Sequence, residues 1–138
     1  MPALDRYHKS VANALVKDGW RITDDPLILK LENRTFYVDL GAERLIAAEK
    51  DTAKIAVEIK TFLSPSPVAD LEQALGQFGI YEEVLKAVQP ERVLYLAIPE
   101  EAFNRIFTER IGQLILQNRI RRAFTFSWEI EEIVQWIP

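Results

Sequence analysis

Apolar and polar positions follow one another along this chain in blocks of different period, and the first block is helical. Four apolar residues keep the spacing of one helix face and are followed by a stop at Asp18-Gly19: Leu4, Tyr7, Val11 and Leu15. Two β-rich runs follow, residues 27–32 and 35–40, with a turn at Asn33-Arg34 between them. Residues 44–50 and 54–62 flank Asp51-Thr52 and predict a hairpin. The first half therefore predicts a helix followed by three antiparallel strands.

The second half of the chain returns to helical spacing after the segment SPSP, residues 64–67. Ser66 is predicted as the N-cap of a helix and Pro67 as its first residue, and the apolar positions keep one face as far as Val88. Residues 92–98, RVLYLAI, have the continuous apolar character of a strand that is buried on both faces. A third helix over residues 103–115 and two short strands, residues 124–128 and 133–137, complete the pattern.

The order helix, three strands, helix, strand, helix predicts a mixed α/β fold with a small central sheet between helices. A length of 138 residues suffices for one domain, residues 1–138, with a core of its own. The chain has no cysteine, which excludes disulfides and thiolate metal sites. It has no signal-like start and no apolar run near the roughly 20 residues of a membrane span, so we expect a cytoplasmic protein without a membrane partner.

Charge is distributed unevenly along the chain. The net charge of -4 argues against nonspecific nucleic-acid binding by the whole surface. Residues 103–122 nevertheless carry five arginines against Glu109 alone, a local charge of +4. These arginines are the candidates for contact with DNA phosphates: Arg105, Arg110, Arg119, Arg121 and Arg122.

The stretch IAVEIKTF, residues 55–62, contains the most unusual pair of charges. Glu58 and Lys60 are two residues apart and share one strand face, whereas the alternate positions are apolar. About one acid-x-Lys triplet is expected by chance in a chain of this composition, and the pair could be the solvent face of a half-exposed strand. If helices cover the sheet, however, such charges must be paired, hydrogen-bonded or bound to a metal.

A metal site at Glu58 needs a second carboxylate, and the sequence offers two. Asp39 lies on the preceding strand, and with Glu58 it could bind Mg²⁺ or Mn²⁺, since Mg²⁺ takes one or two carboxylates and keeps several waters. A two-residue loop at Asp51-Thr52 would instead place Glu43 opposite Lys60, with Asp39 about two pairs further along. The choice between Asp39 and Glu43 stays open. Lys60 would hold the attacking water or the developing charge on a phosphate.

A polar stripe on the helix that follows is the third candidate element. Gln73, Gln77 and Tyr81 recur every four residues beside the apolar face. By itself such a stripe is more often an ordinary polar flank of a helix, and its interest comes from its position after Glu58-x-Lys60.

Asp39, Glu58-x-Lys60 and Gln77-x-x-x-Tyr81, in this order of elements, resemble the restriction-endonuclease-like PD-(D/E)xK nucleases, and the last element resembles their RecB-type branch. More closely, the sequence is similar to the XisH family, the fdxN element excision controlling factors of cyanobacteria. The similarity lies between residues 14 and 99, in the stretches ALVKDGWRITDDP, YVDLGAERLIAAEK, KIAVEIKTFLSPSP, ALGQFGIY and ERVLYLAIP.

The resemblance implies a restriction-endonuclease-like fold with an αβββαβ core. It implies metal-binding carboxylates at Asp39 and Glu58, a catalytic lysine at Lys60 and a supporting glutamine at Gln77. It also implies a role in programmed DNA rearrangement beside a small companion protein, XisI, while a separate recombinase exchanges the strands. Two functions are compatible with this: a Mg²⁺-dependent DNA endonuclease, or a noncatalytic regulatory module that binds a protein partner. A homo-oligomer stays open.

Overall fold

A computed structural model describes residues 4–46 and 51–138 of the chain. The elements in chain order are α1 (Leu4–Lys17), β1 (Arg21–Asp24), β2 (Leu27–Leu31), β3 (Arg34–Val38), β4 (Leu40–Ile46), β5 (Asp51–Ile59), α2 (Pro67–Val88), β6 (Arg92–Pro99), α3 (Glu100–Ile106), α4 (Arg110–Asn118), β7 (Ala123–Ser127) and β8 (Glu132–Ile137). Among the helices so described, none is long and apolar enough to span a bilayer.

The central sheet has six strands in the order β1-β4-β5-β6-β7-β8. β1, β4 and β5 pair antiparallel, β5, β6 and β7 pair parallel, and β8 returns antiparallel to β7. Strands β2 and β3 form a separate two-stranded sheet. The predicted mixed α/β fold, with a mixed central sheet flanked by helices, is therefore confirmed.

The prediction of the three antiparallel strands was wrong in detail. The run 27–32 does not enter the central sheet, because β2 pairs with β3 alone. The run 35–40 belongs to two strands, since the chain passes from β3 to β4 at Asp39. The third antiparallel strand of the central sheet is β1, a strand of only four residues that shows too little alternation to be predicted.

Helices cover both faces of the central sheet, and β5 contributes side chains to both. On one face, Ile55 and Val57 of β5 join the core that includes Tyr7 and Val11 of α1. On the other face, Ala56 joins the core formed with α2, α3, α4 and the β2–β3 hairpin. Glu58, two residues beyond Ala56, is directed to this second face and is buried. Helices therefore cover the sheet face that carries Glu58, and this charge is not on the solvent face of a half-exposed strand.

Local signals place the ends of the first two helices. α1 stops before Gly19, which has a positive φ of 98°. α2 begins at Pro67 with Ser66 as its N-cap, and the Ser66 Oγ accepts a hydrogen bond of 3.2 Å from the Ala69 amide. Both features agree with the prediction, because capping and a glycine stop depend only on neighbouring residues.

The single helix predicted over residues 103–115 is wrong, because the chain forms α3 and α4 with a break at residues 107–109. Gly112 of α4 lies directly on the end of α3. A Cβ atom at Gly112 would be 2.4 Å from the Ile106 carbonyl oxygen and 2.7 Å from the Phe107 Cα. The turn between the helices therefore depends on this close approach, which helical periodicity does not reveal.

The register of β4 and β5 also differs from the predicted hairpin. Leu40 lies opposite Val57, and Glu43 lies opposite Lys54 rather than opposite Lys60. Asp51 and Thr52 are not a loop, because they pair with Ile46 and Leu45. The connection, residues 47–50, lies outside the described residues.

Candidate active site

The β4–β5 register brings Asp39 and Glu58 together. Asp39 lies between β3 and β4, and with Leu40 opposite Val57 it is level with Glu58. The Asp39 amide donates a hydrogen bond of 3.3 Å to Glu58 Oε1. In return, Asp39 Oδ2 accepts a hydrogen bond of 2.8 Å from the Ile59 amide. Each carboxylate is thus held by a backbone amide at or next to the other residue.

Glu43, the alternative second metal ligand, lies away from this pair. Its side chain forms an ion pair with Arg21 of β1, and its neighbour across β5 is Lys54. Four residues of strand separate it from Asp39, which corresponds to about 13 Å. The structure therefore brings Asp39, and not Glu43, to Glu58.

Lys60 lies on the same side of the chain as Glu58, just beyond the end of β5. Its Nζ is 3.7 Å from Glu58 Oε2, and 19% of its side chain is exposed. Its amide donates a hydrogen bond of 3.1 Å to the Ala97 carbonyl, which keeps the backbone attached to β6. The Lys60 ammonium group is therefore held at the partly open edge of the site, beside the Glu58 carboxylate.

Burial and mutual repulsion make Glu58 unusually basic. Burial is the main cause that raises its pKa from 4.5 to about 7, and the charge of Asp39 is the second. Lys60 and the Asp39 amide act in the opposite direction without cancelling this rise. Near neutral pH the Glu58 carboxyl group, next to that of Asp39, therefore carries a proton in a fraction of the molecules. A divalent cation between them would remove both the repulsion and the need for that proton.

The polar stripe of α2 runs alongside the two carboxyl groups. Burial, followed by the charges of Glu58 and Asp39, raises the pKa of the Tyr81 hydroxyl. Gln73, two turns earlier, lines a cavity together with Asp39 and Lys60. Gln77 lies between them, and its Oε1 atom is buried without a hydrogen-bond partner in the part of the chain that the structure describes. A buried acceptor without a partner is costly and indicates a ligand or water at that position.

The donor set fits a hard divalent cation that keeps part of its water shell. Asp39 and Glu58 supply oxygen ligands, and Mg²⁺ is typically bound through one or two carboxylates. Within residues 4–46 and 51–138, no group of three or more His, Cys, Asp or Glu side chains is arranged to hold a metal ion. Water, and the unpartnered Gln77 Oε1 through that water, would therefore have to complete the coordination.

The cavity beside the site has a volume of about 620 Å³. Its lining includes three ionisable residues that were not predicted as site residues: Asp5, His8 and Asp70; for His8 the sequence alone favours a surface or cap-adjacent histidine over a phosphate contact. Asp5 and His8 are three residues apart on α1, and Asp70 is in the first turn of α2. Only the packing of both helix starts against the end of β5 reveals them, although the i, i+3 spacing of Asp5 and His8 is a weak signal of a shared face.

The loop after Lys60 is held in a strained conformation. Phe62 has a φ of 55°, which is rare for a bulky residue, and its ring is buried with its centroid 5.3 Å from that of Phe107. The Phe62 carbonyl accepts a hydrogen bond of 2.9 Å from Arg105 Nη2. Arg105, which the sequence predicted as a DNA contact, therefore also supports the loop that forms the cavity wall.

The other predicted DNA-binding arginines do not gather at the cavity. Arg110 and Arg119 are exposed at the two ends of α4. Arg121 and Arg122 are exposed and line a separate recess of about 330 Å³ together with Phe78 and Glu82 of α2. These α2 residues directly follow Gln77 and Tyr81, so α2 stands between this recess and the carboxyl pair.

Comparison with known proteins identifies close structural relatives. The family model described as XisH protein matches residues 1–134. An XisH family protein from Nostoc punctiforme PCC 73102 is 38% identical, with 97% of this chain and 100% of that chain covered and a TM-score of 0.87. A fdxN element excision controlling factor protein from Anabaena variabilis is also 38% identical, with coverage of 97% and 99% and a TM-score of 0.85. No curated protein matches. The match over nearly the whole chain shows that this protein belongs to the XisH family.

Proposed function

We propose that this protein is a nuclease-like DNA-processing factor that acts in the excision of a DNA element and hydrolyses phosphodiester bonds with Mg²⁺ or Mn²⁺. The observation that carries the proposal is the buried Asp39–Glu58 carboxyl pair with Lys60 Nζ 3.7 Å from Glu58. A role in excision is supported by the Anabaena variabilis relative, whose name is fdxN element excision controlling factor protein.

The order and pairing of the elements support a restriction-endonuclease-like PD-(D/E)xK fold in one domain, residues 1–138. α1 precedes three strands that pair antiparallel in the central sheet, β1, β4 and β5, and α2 then leads to the parallel strand β6. This order supports the αβββαβ core that the sequence resemblance implies, with the β2–β3 hairpin added between β1 and β4. Action on cellular DNA would also require the cytoplasmic location that we expect from the sequence.

Each polar residue of the site would have a separate role in phosphodiester hydrolysis. Asp39 and Glu58 would hold the cation, which would polarise the phosphate and lower the pKa of a bound water. The Lys60 ammonium would orient the attacking water or stabilise the negative charge that develops on the phosphate. Gln77 would accept a hydrogen bond through its buried Oε1 atom and so fix the water network around the carboxyl pair. DNA would approach from the side of the cavity, where Lys60 is partly exposed.

A noncatalytic regulatory module is the second candidate. The Glu58–Lys60 ion pair and the backbone hydrogen bonds give both carboxyl groups partners within the protein itself, as a site without a metal would need. The net charge of -4 also favours a protein partner over extensive DNA contact. In this case the chain would bind a companion of the XisI type, or a second copy of itself, and would control a separate recombinase.

Two substitutions on β5 separate these functions. Lys60→Ala should retain Mn²⁺ binding in a calorimetric titration but lower cleavage of plasmid or branched DNA by a factor on the order of 10² or more. Glu58→Ala should lose the metal. Lys54→Ala is the matched control, because Lys54 is on the same face of β5 but opposite Glu43. Loss of stability without any change in metal binding or cleavage would reduce Lys60 to an ion-pair partner and would favour the regulatory module.

A further inference from the structure

The cavity wall contains an imidazole that the chemistry above does not use. His8, the one histidine of the chain, lies on α1 and lines the cavity together with Asp39 and Lys60. Its side chain is 33% exposed, so part of the ring is accessible to solvent. A polar side chain from the first helix is thus placed beside residues that come from the centre of the sheet.

Asp25 fixes this imidazole. His8 Nε2 is 2.7 Å from Asp25 Oδ1, a short hydrogen bond that joins α1 to the turn between β1 and β2. Because Nε2–H is donated to the carboxylate, the remaining nitrogen, Nδ1, is a donor only when the ring is protonated. Nδ1 has no hydrogen-bond partner in the described parts of the chain, so it is available to a ligand.

The charges around His8 define what such a ligand would be. Asp25 contacts His8 but does not line the cavity; the other charged groups that line it are Asp5 one turn earlier on α1, Asp39, Asp70 on α2 and Lys60. Asp70 is already engaged by the Ser64 amide at 3.2 Å. Lys60 and a protonated His8 are therefore the two cationic donors of a cavity that is otherwise acidic. Among the lining residues, these two are therefore the ones whose charge favours a phosphodiester.

We propose that protonated His8, oriented by Asp25, binds a DNA phosphate in this cavity by donating Nδ1–H to a nonbridging oxygen. This inference rests on the proposed function, because it adds a substrate-binding residue to the same site. His8 would hold the phosphate in the ground state and the transition state alike. Its loss should therefore raise KM and leave kcat nearly unchanged.

The test compares His8→Gln with Lys9→Gln. Lys9 is the next residue on α1, is exposed and does not line the cavity, so its substitution removes a neighbouring cation without altering the site. Binding of a fluorescein-labelled DNA oligonucleotide is measured by anisotropy with Ca²⁺ in place of Mg²⁺. We expect His8→Gln to weaken binding by about 10-fold to 100-fold, in the range of one charge-assisted hydrogen bond.

Further variants distinguish binding from a structural role. His8→Lys should restore most of the affinity, and Asp25→Asn should weaken binding in the wild type but have no effect in His8→Gln. Equal binding by His8→Gln and Lys9→Gln, with cleavage retained, would overturn the role of His8 and leave the proposed function intact. Loss of calorimetric Mn²⁺ binding in His8→Gln would also overturn it, because His8 would then be a metal ligand. Absence of wild-type DNA binding and cleavage would overturn both proposals.

Discussion

Replacing Glu58 with glutamine tests the electrostatic origin of the site. The folded protein binds a proton at Glu58 more tightly than the unfolded chain, because the pKa is about 7 in the fold against an ordinary value of 4.5. The contribution of Glu58 to stability is therefore fully present below about pH 4.5 and is lost as the pH rises through about 7. At 1.36 kcal/mol for each tenfold change in proton affinity, this pKa difference corresponds to about 3 kcal/mol.

Glutamine resembles the protonated form of the side chain, so it avoids this loss. Without metal, Glu58→Gln should be more stable than the wild type by about 3 kcal/mol at about pH 8, and the two should be similar at about pH 4. Urea denaturation in EDTA across this pH range measures the difference. Addition of Mn²⁺ at about pH 8 should stabilise the wild type, which supplies the charged pair, and should not stabilise Glu58→Gln.

Two controls identify the cause of the pH dependence. Glu43→Gln removes a carboxylate from the same sheet but away from Glu58, and it should retain the wild-type dependence. Asp39→Asn removes the negative charge of Asp39, the second cause of the rise in the Glu58 pKa, and leaves burial, the first cause. Most of the pH dependence of stability should therefore remain. A parallel loss of stability in Glu58→Gln and the wild type between about pH 4 and pH 8 would refute the electrostatic origin of the pH dependence. Lower stability of the variant than of the wild type at about pH 8 would refute it as well.

Two further predictions concern other parts of the fold. If Arg121 and Arg122 neutralise DNA phosphates, replacing each with glutamine should reduce the slope of log affinity against log salt by roughly one, while Arg34→Gln on the exposed β2–β3 hairpin should leave it unchanged. A slope that is the same in all variants would exclude the two arginines from the interface. Gly112→Ala should lower the free energy of unfolding by at least about 2 kcal/mol because its Cβ would be 2.4 Å from the Ile106 carbonyl oxygen. Gly76→Ala on α2, where a Cβ meets nothing within 4 Å, should instead raise it by about 0.5–1 kcal/mol in thermal or urea unfolding; equal effects of both substitutions would contradict the packing at Gly112.

The sequence alone determined the features that depend on neighbouring residues. The stop of α1 at Gly19, the Ser66 cap of α2 and the buried strand β6 follow from capping chemistry and from hydrophobic period, which act over a few positions. The same holds for the pairing of Glu58 and Lys60 on one face of the chain, because strand alternation needs no distant contact. Family membership could also be predicted, since it rests on residues in their order along the chain.

Only the tertiary structure decided which carboxylate meets Glu58. The β4–β5 register pairs Leu40 with Val57 and Ala42 with Ile55, and these side chains are buried in one core with α1. Burial of this apolar face selects the register, and the selection involves residues far apart in sequence. A slip of six residues would have placed Glu43 opposite Lys60, which is what the shorter predicted loop required.

The cavity is likewise a product of packing between distant elements. His8 and Asp5 reach it from α1, Asp70 and Gln73 from α2, and Lys60 from the end of β5. Each residue alone is an ordinary polar position on its own helix or strand, and periodicity cannot indicate which helix starts come together. The sequence therefore determined the elements and the local chemistry of β5, whereas the site was decided by strand register and helix packing, because both depend on burying apolar surface contributed by the whole chain.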